Sequence, residues 1–149
     1  MQVVSGCGAE DELAVRDLVA RYCDAVSRRD PVAWAGTWTD DAVWDLGGGR
    51  VVHGRAAVVE LWTSALERYP WVAQLAPTGT VQLDGGTATG SWWVLELNHR
   101  ADGTGALHLG HYDDVYRRTD AGWRFAARRH SMVYRGPLDP GTVVPLPPR

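Results

Sequence analysis

Apolar residues recur at helical spacing from Gly8 onward. Leu13, Val15, Leu18, Val19, Tyr22 and Val26 form one stripe, and Glu10, Asp11 and Glu12 stand at the end where the helix dipole favours negative charge. Asp30-Pro31 breaks this helix and caps a second, short one that carries Trp34 and Trp38 on one face. Asp40-Asp41 reads as a turn, Ala42–Leu46 as a short strand and Gly47-Gly48-Gly49 as a flexible link. Residues 54–68 form a third helix with Val58, Leu61, Trp62, Ala65 and Leu66 as its buried stripe. Beyond Pro70 the period drops to that of strands. Asp84-Gly85-Gly86, Asp102-Gly103 and Asp120-Ala121-Gly122 are turns separating Trp71–Leu83, Thr87–His99, Ala106–Arg118 and Trp123–Tyr134, an antiparallel meander. Helices followed by a strongly curved sheet make an α+β cone with an interior cavity. Residues 1–9 read as a flexible segment, 10–135 as one domain, and 136–149 as a tail holding five of the eight prolines, extended and docked on the domain or on a neighbour.

The 149 residues suffice for one core. A net charge of −3 with no basic stripe argues against nucleic acid or an anionic membrane as partner, and no stretch approaches the length of a membrane span. The chain has no lysine, which excludes Schiff-base and pyridoxal-phosphate chemistry. Arginine and valine in place of lysine and isoleucine suggest a GC-rich bacterial genome. Eight tryptophans point to a heavy core or an aromatic-lined pocket. Cys7 and Cys23 lack metal-site spacing, and residues 1–9 lack a basic n-region and an apolar h-region. The expectation is a cytoplasmic protein with reduced thiols. No phosphate loop, dinucleotide fingerprint or metal cluster is visible, so no cofactor or metal is expected.

The segments RYCDAVSRRDPVAWAGTWTDDAVWDL, HGRAAVVELW and GHYDDVYRRTDAGWRFAARR resemble the SnoaL-like group of the nuclear-transport-factor-2-like superfamily. Scytalone dehydratase, ketosteroid isomerase, polyketide cyclases, a dehydrochlorinase and non-enzymatic binding domains are members. The resemblance implies a conical α+β barrel, three N-terminal helices on a curved sheet, with one deep apolar pocket. It also implies association into dimers or trimers, with Trp93, Leu95 and Leu97 on the outer sheet face. The Asp–His dyad of the dehydratase type falls at Ser27 and Gln74 here, which cannot do that proton transfer near pH 7. Tyr22 matches an oxyanion-hole tyrosine. A catalytic aspartate of the isomerase falls at Leu46, leaving Asp45 on the opposite strand face. Arg128 matches a pocket arginine.

Strand parity supplies a replacement. Trp92, Val94 and Glu96 share a face; so do His108, Gly110 and Tyr112, and so do Arg128, His130 and Met132. The resemblance puts the Trp92 set inside. The hairpin at Asp102-Gly103 sets Glu96 opposite His108. Glu96 and His108 are therefore the expected acid–base pair, with Tyr22, Tyr112 and Arg128 as hydrogen-bond donors. Ser27, Trp38, Trp44, Leu46, Gln74, Trp92, Val94, His130 and Met132 complete the expected pocket. The alternative for Glu96 is a structural ion pair with Arg128 or His130. The expected function is a cofactor-free lyase, isomerase or cyclase acting on a small apolar, cyclic molecule of polyketide, terpenoid or steroid type. The runner-up is a non-catalytic binding or scaffold domain.

Overall fold

The computed structural model describes residues 6–139 and 141–147. Its elements run α1 (Gly6–Arg28), α2 (Pro31–Ala35), β1 (Trp38–Asp45), β2 (Val51–His53), α3 (Arg55–Leu66), β3 (Trp71–Asp84), β4 (Thr87–His99), β5 (Gly105–Thr119) and β6 (Gly122–Leu138). One curved, unclosed sheet has the order β2-β1-β6-β5-β4-β3. Pairing is antiparallel throughout except between β1 and β6. The expected α+β cone and the β3–β6 meander are both present.

α1 buries Val15, Leu18, Val19, Tyr22, Cys23 and Val26. Its outer face carries Glu12–Arg16, Asp17–Arg21 and Asp24–Arg28 pairs, four apart with the acid first, the favourable order along a helix. The helix closes on Arg29, whose φ of 57° is left-handed. Asp30 N–H donates to Ala25 O and Arg29 N–H to Val26 O, a Schellman closure. The Arg29 guanidinium bonds the Leu66 and Tyr69 carbonyls and ties the end of α1 to that of α3. Asp30 then caps α2, accepting from Val32 and Ala33 N–H.

The order differs from the sequence reading in four places. Trp38 opens β1 rather than continuing α2, because Phe125 N–H bonds Thr37 O and draws the chain onto β6. Asp40 and Asp41 are exposed strand positions at a register irregularity, paired with Arg55 and Arg117, and not a turn. Gly47, Gly48 and Gly49 all have positive φ (82°, 62° and 81°) and form a tight link into β2, a three-residue strand too short to show alternation. α1 begins at Gly6, so residues 6–9, expected to be flexible, are helical, and β6 runs to Leu138, taking the first residues of the expected tail into the sheet. The expectation for residues 1–5 and for the Cys7 thiol lies outside the described residues. Residues Val144–Pro147 border an open cleft whose other side holds Ser27–Pro31 and Trp71–Ala73.

Trp34 and Trp62 stack at 4.4 Å, and Trp38 and Trp44 meet Trp34 edge to face. Aromatic burial on this scale dominates core energetics. Most of the eight tryptophans are thus core.

Candidate active site

Where the inner faces of β1, β3, β4, β5 and β6 converge they leave a cavity of about 160 Å³. Its apolar lining is Trp44, Leu46, Val94 and Tyr112; its polar lining is Gln74, Glu96, His108 and His130, with Gly110 between. Asp45 faces outward, accepting a hydrogen bond from Gly47 N–H, as parity required.

Glu96 and His108 are direct cross-strand partners. No hydrogen bond or ion pair joins them among the described residues. Glu96 Oε2 accepts from Gln74 Nε2 at 3.0 Å and Oε1 from Asn98 Nδ2 at 3.3 Å. Gln74 is itself held: its backbone N–H donates to Ser27 Oγ at 2.9 Å, and its side-chain oxygen faces Cys23 Sγ at 3.7 Å. Ser27 and Gln74, the two residues at the dyad positions, thus hold the Glu96 carboxylate in place. The Cys23 thiol is free, buried and pushed up to about 11 by that burial, so it is no nucleophile.

His108 Nε2 is buried with no hydrogen-bond partner among the described residues. Burial holds the His108 imidazole below its ordinary value, opposed by the Glu96 charge, which favours its cation. His130 is lowered too, by burial first and then by His108 and Arg128. Its ring lies over Gly110, where an added Cβ would stand 2.5 Å from His130 Nε2. Burial thus favours the neutral form of both imidazoles. Burial also raises the Tyr112 phenol well above its ordinary value, which keeps it a donor.

Several expected site residues lie elsewhere. Arg128 is buried and bidentate to Asp114 at 2.7 and 2.8 Å, so Asp114 and not Glu96 takes the structural ion pair. Its guanidinium stacks on Tyr112 at 3.7 Å and on Tyr22 at 4.3 Å, behind the cavity wall. Tyr22 is a core residue packed on Trp34, Trp38, Tyr112 and Phe125, and does not line the cavity. Burial raises its phenol, against the Arg128 charge. Trp92 donates from Nε1 to Tyr116 Oη at 2.8 Å and joins the Asp114 network instead. Trp38 is fully buried in the aromatic core. Ser27 supports Gln74 from behind. Met132 pairs with Gly110 but is 50% exposed and does not line the cavity. Asn98, which sequence reasoning missed, is fully buried two residues beyond Glu96 on the same face. That spacing was its available signal.

The described residues contain no group of three or more His, Cys, Asp or Glu side chains able to hold a metal. Parity separates His111 from His108: His111 Nε2 meets Ser91 Oγ at 2.9 Å on the outer face. No described helix is long and apolar enough to cross a membrane.

The fold matches that of known proteins. The family model of the SnoaL-like domain matches residues 8–129, and the chain belongs to that family, within the nuclear-transport-factor-2-like fold. Gamma-hexachlorocyclohexane dehydrochlorinase of Sphingobium indicum is 27% identical over 132 residues, covering 84% of this chain and 82% of that protein. An uncharacterised protein of Mycobacterium tuberculosis is 29% identical over 133 residues, covering 84% and 87%. The structure of a type 3 hexachlorocyclohexane dehydrochlorinase from Novosphingobium barchaimii superposes with a TM-score of 0.80 at 22% identity, covering 95% of this chain and 97% of that one, a likeness of fold.

Proposed function

We propose that the chain is a cofactor-free small-molecule lyase or isomerase in which His108, supported by Glu96, moves a proton on a single-ring substrate. The observation that carries this reading is the direct opposition of a carboxylate and an imidazole on one small cavity. The His108 imidazole takes a proton from a substrate carbon beside a carbonyl or leaving group. The imidazolium that forms is stabilised by the Glu96 charge, itself fixed by Gln74 and Asn98. The proton then returns to another substrate atom in an isomerisation, or leaves with the departing group in an elimination. The dehydrochlorinase relative supports the elimination branch. A cavity of 160 Å³ suits one six-membered ring, since an engineered cavity of about 150 Å³ takes benzene.

Exchange of the α-protons of cyclohexanone in D₂O, read by proton NMR, tests the base on a single ring without knowledge of the native substrate. His108→Gln is expected to lower the exchange rate about 10²-fold or more, the usual contribution of a positioned base. An unchanged rate would leave the non-catalytic binding module, the reading that the loss of the family dyad at Ser27 and Gln74 favours.

Association through the outer sheet face is part of the same proposal. Leu75 and Trp93 are exposed there, beside Leu95 and Leu97. Leu95→Glu is expected to shift the sedimentation coefficient from dimer or trimer to monomer; a wild-type chain that sediments as a monomer rejects the interface.

A further inference from the structure

His130 lines the cavity and has no part in the step assigned to His108. It stands on β6 opposite Tyr112 of β5, with its ring tilted against the Tyr112 ring at 5.3 Å. The ring also leans along β5 toward His108. It reaches over Gly110, the position between Tyr112 and His108 on the same strand face, where an added Cβ would lie 2.5 Å from His130 Nε2. Gly110 pairs with the buried Val94, and both line the cavity. His130 Nε2 therefore fills the inward place that a side chain at position 110 would take, with His108 next along the strand. Positions 108 and 110 are about 7 Å apart along a strand. That spacing leaves room for a carbonyl group and its adjoining C–H, each facing its own imidazole.

The surroundings of His130 favour its uncharged form: burial first, then the charges of His108 and Arg128. The His108 charge appears only once His108 has taken a proton, so the step itself reinforces the uncharged state of His130. An uncharged imidazole still donates one N–H, which suffices to polarise a carbonyl oxygen.

We infer that His130 is a second catalytic residue of this site, donating its Nε2–H to the carbonyl oxygen of the substrate while His108 takes the proton from the adjacent carbon. The inference rests on the proposed function and adds the group that meets the developing negative charge. The C–H bond breaks and its proton goes to the His108 imidazole. The electron pair forms a C=C bond, and the carbonyl oxygen becomes an enolate oxygen. The hydrogen bond from His130 strengthens as that charge grows, and His130 keeps its proton. Tyr22 and Arg128, two of the donors expected from the sequence, lie behind the cavity wall, whereas His130 stands on the cavity itself.

The test is α-proton exchange of cyclohexanone in D₂O by the full chain, with kcat and KM measured separately for His130→Leu and His130→Gln. His130→Leu is expected to lower kcat about 10²-fold with little change in KM, the usual loss when one such donor is removed. His130→Gln, whose side-chain amide supplies an N–H, is expected to recover most of that loss. A His130→Leu rate equal to wild type would give the role to another cavity group, such as Tyr112, and overturn the inference. Equal losses in the Gln and Leu variants would assign His130 to packing and overturn it as well. In both cases a slow His108→Gln variant leaves the proposed function standing. If His108→Gln exchanges as fast as wild type, the proposed function falls and the role of His130 falls with it.

Discussion

Glu96 and His108 face each other directly across β4 and β5, yet both Glu96 oxygens are occupied by amides, Oε2 by Gln74 and Oε1 by Asn98. The carboxylate therefore acts on the imidazole through its field and not through a shared proton. Glu96→Gln keeps the shape and removes that field. Its expected effect is a further fall in the His108 pKa, read from the Cε1 proton resonance against pH, since the Glu96 charge opposes the lowering caused by burial. A His108 titration that ignores the substitution would separate the two groups electrostatically.

Burial of both imidazoles links stability to pH. His108 and His130 are held below the ordinary value near 6.5, so between that value and their lowered folded values the unfolded chain binds more protons than the folded one. Their contribution is fully present above about pH 6.5 and is lost as the pH falls through the folded values. The urea midpoint is expected to drop between pH 7 and pH 5, and the His108→Gln, His130→Gln double variant should flatten that slope. Equal slopes in the two proteins would assign the acid sensitivity to other groups.

The Asp114–Arg128 pair is shielded from solvent, with Arg128 Nη1 lacking a hydrogen-bond partner among the described residues. Both side chains are at 0% exposure, Tyr116 Oη donates to Asp114 Oδ2 at 2.7 Å, and aromatic faces cover the guanidinium. Asp114→Asn leaves a buried cation without its counter-charge and is expected to cost about 3–5 kcal/mol in urea unfolding. Tyr116→Phe removes one hydrogen bond to the same carboxylate and should cost about 1–3 kcal/mol. A loss under about 1 kcal/mol for Asp114→Asn would mean that water reaches the pair.

Gly110 keeps His130 in place. An alanine Cβ there would meet His130 Nε2 at 2.5 Å and Ser131 O at 3.2 Å, so the imidazole must leave its seat. Gly110→Ala is expected to cost about 1–3 kcal/mol and to move the His130 Cε1 proton resonance. Gly86→Ala, which meets nothing within 4 Å, should stay within about 0.5 kcal/mol of wild type. A silent His130 resonance in Gly110→Ala would show that the ring does not rest on this strand.

Long-period signals in the sequence set most of the fold. The α1 stripe, the Asp30 cap and the turns at Gly85, Gly103 and Gly122 each encode their element locally, through burial of one face or the need for left-handed backbone. Parity, likewise local, placed Glu96, His108, Tyr112 and His130 on one surface and Asp45 on the other. Tertiary structure decided the rest. Trp38 became strand because β6 offers Thr37 O a hydrogen bond, and Tyr22 and Arg128 were drawn behind the cavity wall by aromatic packing and by Asp114. Those outcomes depend on which distant group reaches a side chain first in space, and spacing along the chain carries no record of that competition.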